Sequence, residues 1–479
     1  MDYTYKQYIG GEWCDASNGK SSEVLNPATE EVVRTVPFGT AADCHSAIDA
    51  AHKAFSPWAG RTAYDRGGIL KRAADLMRAR ADDLARTTVL ESGKPIAQAR
   101  GEWNVSADLF EWFAEEGKRA YGRLVPSRIA TRRLSVLKQP IGVVGIITAW
   151  NFPAYNIARA AAAALAAGCT IVIRPSEHTP LTAMEMVNVL VEAGMPSGAT
   201  NLVNGQADPI GQEMLLHPAC AKIHLTGSVR VGKRLMDGAS KTITRLSLEL
   251  GGNAPVLIFP DVNLEELAAG AVAARFRNAG QVCIAPQRFL VARRACAEFV
   301  DRVAVLVQSL RVGSGLDPET QVGPLINAKQ RDRVEALVEL ARSAGATVRV
   351  GGARPSDKSK GFFYQPTLVA DVQPTMPVYD EEIFGPVMPV VAFDEVDEAV
   401  AMANGTRYGL AAYVWTNDVR TAIRASERLE FGMVGVNEWT PQTVEAPFVG
   451  WKESGLGREA GLEGLEEYLE TKLVAIGGL

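Results

Sequence analysis

Apolar positions along the chain alternate between helical and strand spacing for most of its length, and this alternation sets the fold class. Residues 65–88 carry apolar side chains at helical spacing. Residues 141–149 are a near-continuous apolar run, the pattern of a strand covered on both faces in a parallel sheet. An alanine-rich helix follows over 156–167 with Gly168 as its stop. Next come a strand at 170–174, a helix over 182–193 closed by Gly194 and Pro196, a strand at 221–225, a short helix at 229–237 and a strand at 242–249. After Gly251-Gly252 the alternation restarts, with helix 263–279, strand 288–292 and helices 296–308 and 329–343. Strand 387–393, helix 397–403, strand 411–416, helix 418–428 and strand 433–437 complete it. Repeated strand–helix–strand units predict an α/β protein: a doubly wound parallel sheet, then a second α/β unit beyond the glycine pair. Two pieces fit neither unit. Residues 122–140 read as two β runs around a polar turn, and 473–476 as a short terminal strand. An isolated hairpin is marginal in water, so either the parent domain or a second copy of the chain must cover it.

Charge and composition narrow the partners. Fifty Lys and Arg against 55 Asp and Glu give a net charge of −5 over 479 residues. A mildly acidic chain lacks the field that holds a phosphate backbone, so no nucleic-acid partner is expected. The opening Met1–Lys6 has no basic stretch leading into an apolar run, so no secretory signal is expected. The apolar run 141–150 is too short for a bilayer, and Asn151, Asn156 and Arg159 separate it from the run 160–173, so no membrane span is expected. Cysteines 14, 44, 169, 220, 283 and 296 are scattered with no CxxC pair, the usage of a reducing compartment, and a cytoplasmic protein is expected. No zinc-ligand spacing occurs, so no metal site is expected.

Candidate chemistry lies in the turns that follow strands. There is no GxGxxG. The segment 227–234 resembles a phosphate-binding P-loop until Arg234 takes the place of the hydroxyl that must hold Mg²⁺, so nucleotide hydrolysis is rejected. What remains is a glycine turn before a helix. Its free N–H groups either hold a dinucleotide pyrophosphate or close an ordinary βα turn. Cys283, after a helix and a glycine, is either a nucleophile or a small buried hydrophobe, and Arg277 lies six residues upstream as a source of positive potential. Glu249 ends the strand carrying Leu246 and Leu248, next to Leu250 and the glycine pair. It is either a desolvated base or a surface carboxylate. Asn151, in Trp150-Asn151-Phe152-Pro153 after strand 141–149, is either an oxyanion donor or a turn residue.

Taken together, WNFP at 150–153, RPSE at 174–177, TGS at 226–228, LELGG at 248–252, GQVC at 280–283, EIFGPV at 382–387 and GWKESGLGRE at 450–459 resemble the aldehyde dehydrogenase superfamily, in order and over nearly the whole chain. The resemblance implies Cys283 as nucleophile, Asn151 with the Cys283 N–H as oxyanion hole, and Glu249 as general base. It implies a variant Rossmann domain (1–121 and 141–251), an α/β catalytic domain (252–460) and a small β oligomerisation element (122–140 and 461–479) that forms homodimers or homotetramers. Trp150, Arg174, Ser176, Glu177, Gly227, Ser228, Leu250, Glu382 and Phe384 would contact the dinucleotide. Arg174 replaces the family's usual lysine. Glu177 can accept from a ribose 2′-OH and repel a 2′-phosphate, which favours NAD while leaving NADP open. Within the superfamily the chain is most similar to succinate-semialdehyde dehydrogenases. Arg159 and Arg277 match that subfamily's grip on the distal carboxylate, and Gln442 and Phe448 would line the same pocket. Trp439, Pro441, Gln442, Val449 and Trp451 depart from the subfamily and are expected to reshape the pocket, with a glutarate-type or an aromatic or neutral aldehyde as alternatives. An inert member of the fold is the non-enzymatic alternative. Ile284 and Ala285 leave no second cysteine beside Cys283.

Overall fold

The computed structural model describes residues 5–478; residues 1–4 and 479, the outermost parts of the expected cofactor domain and oligomerisation element, lie outside the described residues. Five parallel strands carry the first sheet: β1 Val143–Ile147, β2 Thr170–Arg174, β3 Thr200–Leu202, β4 Cys220–Thr226 and β5 Arg245–Glu249, in the order β3-β2-β1-β4-β5. The chain steps outward from β1 to β3 and then returns to place β4 beside β1. The strand order therefore reverses between β1 and β4, and a crevice opens beyond their carboxyl ends. Antiparallel pieces finish the edges. Gln7–Ile9 pairs with β3, and Gly455–Leu456, from far along the chain, pairs with β5 at Leu248 and Glu249.

The second sheet runs β8-β9-β10-β7-β6-β11-β12. Its strands are β6 Ala254–Ile258, β7 Pro286–Ala292, β8 Thr347–Val350, β9 Thr367–Ala370, β10 Val387–Phe393, β11 Ala411–Trp415 and β12 Met433–Val436, all parallel except the β8–β9 pair. Near-continuous Val, Ile and Leu in β1, β2 and β6 match their complete burial between layers.

The alanine-rich α2 Pro153–Ala167 packs against the first sheet, and helix α1 Ile96–Glu116 packs on α2. Small side chains let α2 be enclosed on nearly every side. It ends at Gly168, whose φ of 101° closes the last turn. The apolar reading of 65–88 as one helix is corrected to two, Ala63–Ala79 and Ala81–Ser92, separated by a non-helical Arg80. The helix read over 263–279 stops at Phe276, as α4 Leu264–Phe276, after α3 Val229–Ala239. The terminal strand is longer than the pattern suggested. Leu469–Ile476 pairs along its whole length with Arg133–Pro140, and Arg123–Val125 adds a third strand. Leu124 (82%) and Leu473 (63%) stand exposed on this small sheet.

No helix among the described residues is long and apolar enough to cross a membrane. His45 and Glu213 (2.8 Å), with His217 and Asp49, link the helices Ala41–Ala59 and Ala207–Leu216. The Ala219 N–H donates to His217 Nδ1 at 3.2 Å, which leaves the His217 proton on Nε2 facing Asp49. The group is thus a hydrogen-bonded clasp rather than a set of free metal ligands.

Candidate active site

The carboxyl ends of β1, β2, β4 and β5 converge on one cavity of about 1100 Å³ that continues between the two sheets. Trp150 and Asn151 follow β1. Arg174, Ser176 and Glu177 end or follow β2, Gly227 and Ser228 follow β4, and Glu249 and Leu250 end β5. The second sheet contributes Cys283, Arg277, Glu382 and Phe384, and the 440–448 loop contributes Gln442 and Phe448. With Arg159 from α2, every residue expected to act in catalysis or to contact the dinucleotide or the substrate lines this cavity.

Cys283 is presented by a forced turn. Asn278 (φ 49°), Ala279 (φ 53°) and Gly280 (φ 72°) are consecutive left-handed residues, and an alanine held so costs about 1–3 kcal/mol. Asn278 Nδ2 donates to Asn151 O at 3.0 Å, Asn151 Nδ2 donates to Gln281 O at 3.1 Å, and Tyr413 OH donates to Ile284 O at 2.6 Å. These bonds tie the residues on either side of Cys283 to the Asn151 loop and to β11. A Cβ at Gly252 would lie 2.4 Å from Cys283 O, so this close approach of the Glu249 turn to the cysteine requires glycine. The Cys283 N–H has no acceptor among the described residues.

The electrostatics differ from those suggested by the sequence. Burial pushes the Cys283 thiol up to about 12; Arg159 opposes this, while Glu249, Glu382 and Glu459 add to it. The resting group is therefore a thiol that needs a base. The cation that acts most on Cys283 is Arg159; Arg277, expected from the sequence as a source of positive potential, lines the same cavity with its guanidinium 5.6 Å over the Phe152 ring. Glu249 is 3% exposed, and its Oε2 has no hydrogen-bond partner. Burial first, then the neighbouring Glu459, raises its carboxyl well above the ordinary range, and Arg159 only partly offsets this. A buried carboxyl of high proton affinity beside a thiol is a competent proton acceptor.

The two arginines are unequal. Arg159 Nη1 lies 2.5 Å from Glu459 Oε2, and Nη2 donates to Asn156 Oδ1 at 3.2 Å, so most of its charge is committed; its Nε keeps no partner. Arg277 has neither carboxylate nor hydrogen-bond partner among the described residues. Of the residues expected to reshape the pocket, Gln442 lines the cavity, while Trp439, Pro441, Val449 and Trp451 do not. Trp439 packs on Trp415 (centroids 4.6 Å apart) and Tyr413 (5.7 Å), Trp451 is half exposed beside Gly409, and neither they nor Val449 reach the cavity wall.

At the other end of the cavity, Arg174 is fixed by Gly205 O (2.7 and 3.0 Å) and Glu177 Oε2 (2.8 Å). Burial raises the Glu177 carboxyl, but Arg174 and a backbone amide outweigh it and hold it below its ordinary value. Ser228 caps α3, accepting the Val231 N–H at 3.4 Å. Glu382 Oε1 accepts the Gly252 N–H at 2.9 Å, and burial lifts its carboxyl to about 7. Phe384, at φ 52°, meets Trp150 edge-on at 5.3 Å; Gln330 donates to the Phe384 carbonyl, and Arg275 to those of Gly385 and Val387.

A sequence model described as the aldehyde dehydrogenase family matches residues 13–474. The chain belongs to the aldehyde dehydrogenase family. It is 45% identical to a mitochondrial succinate-semialdehyde dehydrogenase of Oryza sativa subsp. japonica, over 98% of this chain and 89% of that one. It is 43% identical to a glutarate-semialdehyde dehydrogenase of Pseudomonas putida, over 99% and 98%. The crystal structure of succinate-semialdehyde dehydrogenase from Burkholderia pseudomallei superimposes with a TM-score of 0.97 at 42% identity, covering 100% of both chains. As an aldehyde dehydrogenase, the protein is an oxidoreductase acting on aldehydes with a nicotinamide dinucleotide, NAD or NADP.

The lining residues fit such a dinucleotide. An aldehyde dehydrogenase must hold a pyrophosphate, and Gly227 with the first turn of α3 offers side-chain-free access to helix N–H groups. Thr226 Oγ1 is buried without a partner, and Glu382 is a half-satisfied acceptor suited to ribose hydroxyls.

Several residues of this aldehyde dehydrogenase site were not found from sequence. Glu459 closes the GWKESGLGRE segment, and His224, on β4, lies 2.7 Å from it. Lys94, Glu102 and Asn278 surround the Asn151 backbone. The only local signal was the motif setting of Glu459. Lys94 and Glu102 are only eight residues apart but carry no spacing signal, and the contacts of Lys94 and Asn278 with Asn151 join residues too far apart in sequence for spacing to reveal.

Proposed function

We propose that this aldehyde dehydrogenase oxidises a short aldehyde carrying a distal carboxylate, succinate semialdehyde foremost, and that it prefers NAD. The observation that carries the substrate class is Arg277: a half-buried guanidinium on the cavity wall with no counter-ion among the described residues calls for an anion, and a planar donor fork suits a carboxylate. Arg159, already ion-paired with Glu459, takes the lesser share. Arg277→Ala is expected to raise KM for succinate semialdehyde by about 10- to 100-fold, the loss of a charge-assisted contact, with little change for a neutral aldehyde of equal length. Steady-state rates on the pair check it, and equal increases would reject the clamp. A glutarate-type semialdehyde is the second reading, because Trp439, Val449 and Trp451 leave the cavity unnarrowed.

In this reading Glu249 Oε2 takes the Cys283 proton, directly or through a water, as Sγ bonds to the aldehyde carbon. Asn151 Nδ2, which spends one hydrogen on Gln281 O and keeps a second, and the free Cys283 N–H receive the developing oxyanion. Bound nicotinamide supplies the acceptor for the hydride that leaves this carbon. Glu249 gives that first proton up to solvent and then takes one from the water that attacks the thioester; as the C–S bond breaks the carboxylic acid departs, and the Sγ thiolate takes the second proton back from Glu249 to restore the thiol.

Trp150, Ser176, Gly227, Ser228, Leu250, Glu382 and Phe384 are proposed to hold the dinucleotide, with Glu382 and Phe384 nearest its nicotinamide end. Preference for NAD rests on Glu177. Its carboxylate, kept ionised by Arg174, would accept from a 2′-OH and repel a 2′-phosphate, while Arg174 already spends Nε and Nη2 on Gly205 O and Glu177. Glu177→Gln is therefore expected to raise the NADP-to-NAD ratio of kcat/KM by about tenfold, roughly 1.4 kcal/mol; an unchanged ratio measured with both dinucleotides would reject this role. The exposed apolar side chains of the small three-stranded sheet, Leu124, Leu137 and Leu473, support self-association of the chain through that element.

A further inference from the structure

We infer that the buried Lys94–Glu102 pair is a positioning device for the Asn151 side chain, holding the backbone of residue 151 in the place from which its amide reaches the reacting carbonyl oxygen. The inference rests on the reading of Asn151 as an oxyanion donor.

Lys94 and Glu102 are both almost fully buried, at 1% and 5% exposure, and are ion-paired. Lys94 Nζ also donates to Asn151 O at 2.7 Å and sits 4.1 Å over the Phe152 ring. Glu102 turns its other oxygen to the first turn of α2, where Oε1 accepts the N–H groups of Ala154 (2.8 Å) and Tyr155 (3.2 Å). The pair thus grips residues 151–155 at both ends, by a carbonyl before the helix and by free N–H groups at its start. A buried ion pair is poor evidence of stabilisation, since apolar replacements often do as well. What this pair adds is direction. The carbonyl of residue 151 is fixed from one side by Lys94 and from another by Asn278, which belongs to the strained turn before Cys283. Its side chain is fixed by Gln281 O, accepting from Nδ2, and by Asn156 Nδ2, donating to Oδ1 at 3.2 Å. Donor and nucleophile are therefore referred to the same buried ammonium. An oxyanion donor acts only when held near 3 Å from the developing charge, and a displacement of about 1 Å can cost roughly 10²-fold.

The test is a double-mutant cycle on the full-length enzyme. Lys94→Met combined with Glu102→Gln removes both charges together and keeps a carbonyl oxygen for the Ala154 and Tyr155 amides. It is expected to lower kcat by about 10- to 100-fold with KM and dinucleotide affinity nearly unchanged. In an Asn151→Ala background the same pair of changes is expected to cost less than about threefold, because the amide it orients is gone. The carbonyl that Lys94 grips survives in that background, so a purely structural role would cost the same in both. Equal losses would overturn the inference, as would no loss in the otherwise wild-type enzyme. If Asn151→Ala alone left kcat unchanged, the oxyanion reading itself would fall. Should the charge-free pair not accumulate as folded protein, Lys94→Arg, which keeps the charge facing Glu102 but displaces the donor from Asn151 O, must show the same dependence on background.

Discussion

Cys283→Ala abolishes aldehyde oxidation, by about 10⁴-fold or more, while dinucleotide binding persists. The expectation follows from how the chain treats this sulfur. Three successive left-handed residues, Asn278 to Gly280, deliver it to the cavity, and the turn after Glu249 passes so close to its carbonyl that only glycine fits at 252. Strain of this kind persists where the surroundings over-determine it. The proposed dinucleotide contacts lie mostly on β2, β4 and the 382–384 segment, and alanine at 283 leaves them in place. Rates of NADH formation at 340 nm, alongside dinucleotide titration by fluorescence or calorimetry, check both halves. Residual turnover near wild type would remove Cys283 from the reaction.

Glu249→Gln separates the two halves of the cycle. Glutamine accepts no proton, so hydrolysis of the thioester is expected to fall by about 10²- to 10⁴-fold. The thiol, held as high as about 12, must lose its proton by a slower route, but the pre-steady-state record should still show about one NADH formed per active site before turnover stalls. The pH dependence has a definite sign. Burial and Glu459 raise the folded pKa of Glu249, so its base form is scarce at acidic pH and grows as pH rises through that raised value. Steady-state turnover of the wild type should climb along this limb, and Glu249→Gln should flatten it. The linked effect on stability runs the other way: the folded state holds this proton more tightly than the unfolded chain, so its contribution is complete below the ordinary glutamate pKa and is lost as pH rises through the folded value.

Most of the parallel strands and helices could be read from sequence because their burial is expressed in every residue. β2 was placed at both ends, and Gly168 marked the stop of α2. Boundaries failed where local geometry departs from a regular period. Arg80 breaks an unbroken amphipathic pattern, and α4 ends early because the chain beyond Phe276 is bent into left-handed conformations that nothing in Arg277-Asn278-Ala279 announces. At the site, residue types following strand ends pointed to Asn151, Glu249 and Cys283, and the motif resemblance supplied their roles. Pairing over long separations was invisible. Arg159 looked like an open clamp until Glu459, three hundred positions later, was found against it, and Trp439 looked like a pocket wall until Tyr413 and Trp415 were found to hold it elsewhere. Lys94 and Glu102 carried no sign of burial, since charged residues before and within an amphipathic helix face water more often than not.

The proposed reaction runs through a thioester formed at Cys283 and released through Glu249. Its most direct test is mass spectrometry of Glu249→Gln quenched within one turnover of succinate semialdehyde and NAD, with peptide mapping of all six cysteines. One succinyl group per chain is expected on the peptide containing Cys283, scavenged by hydroxylamine and absent without the dinucleotide. A variant that turns over normally with no acyl group on that peptide, or with the group on another cysteine, would contradict it.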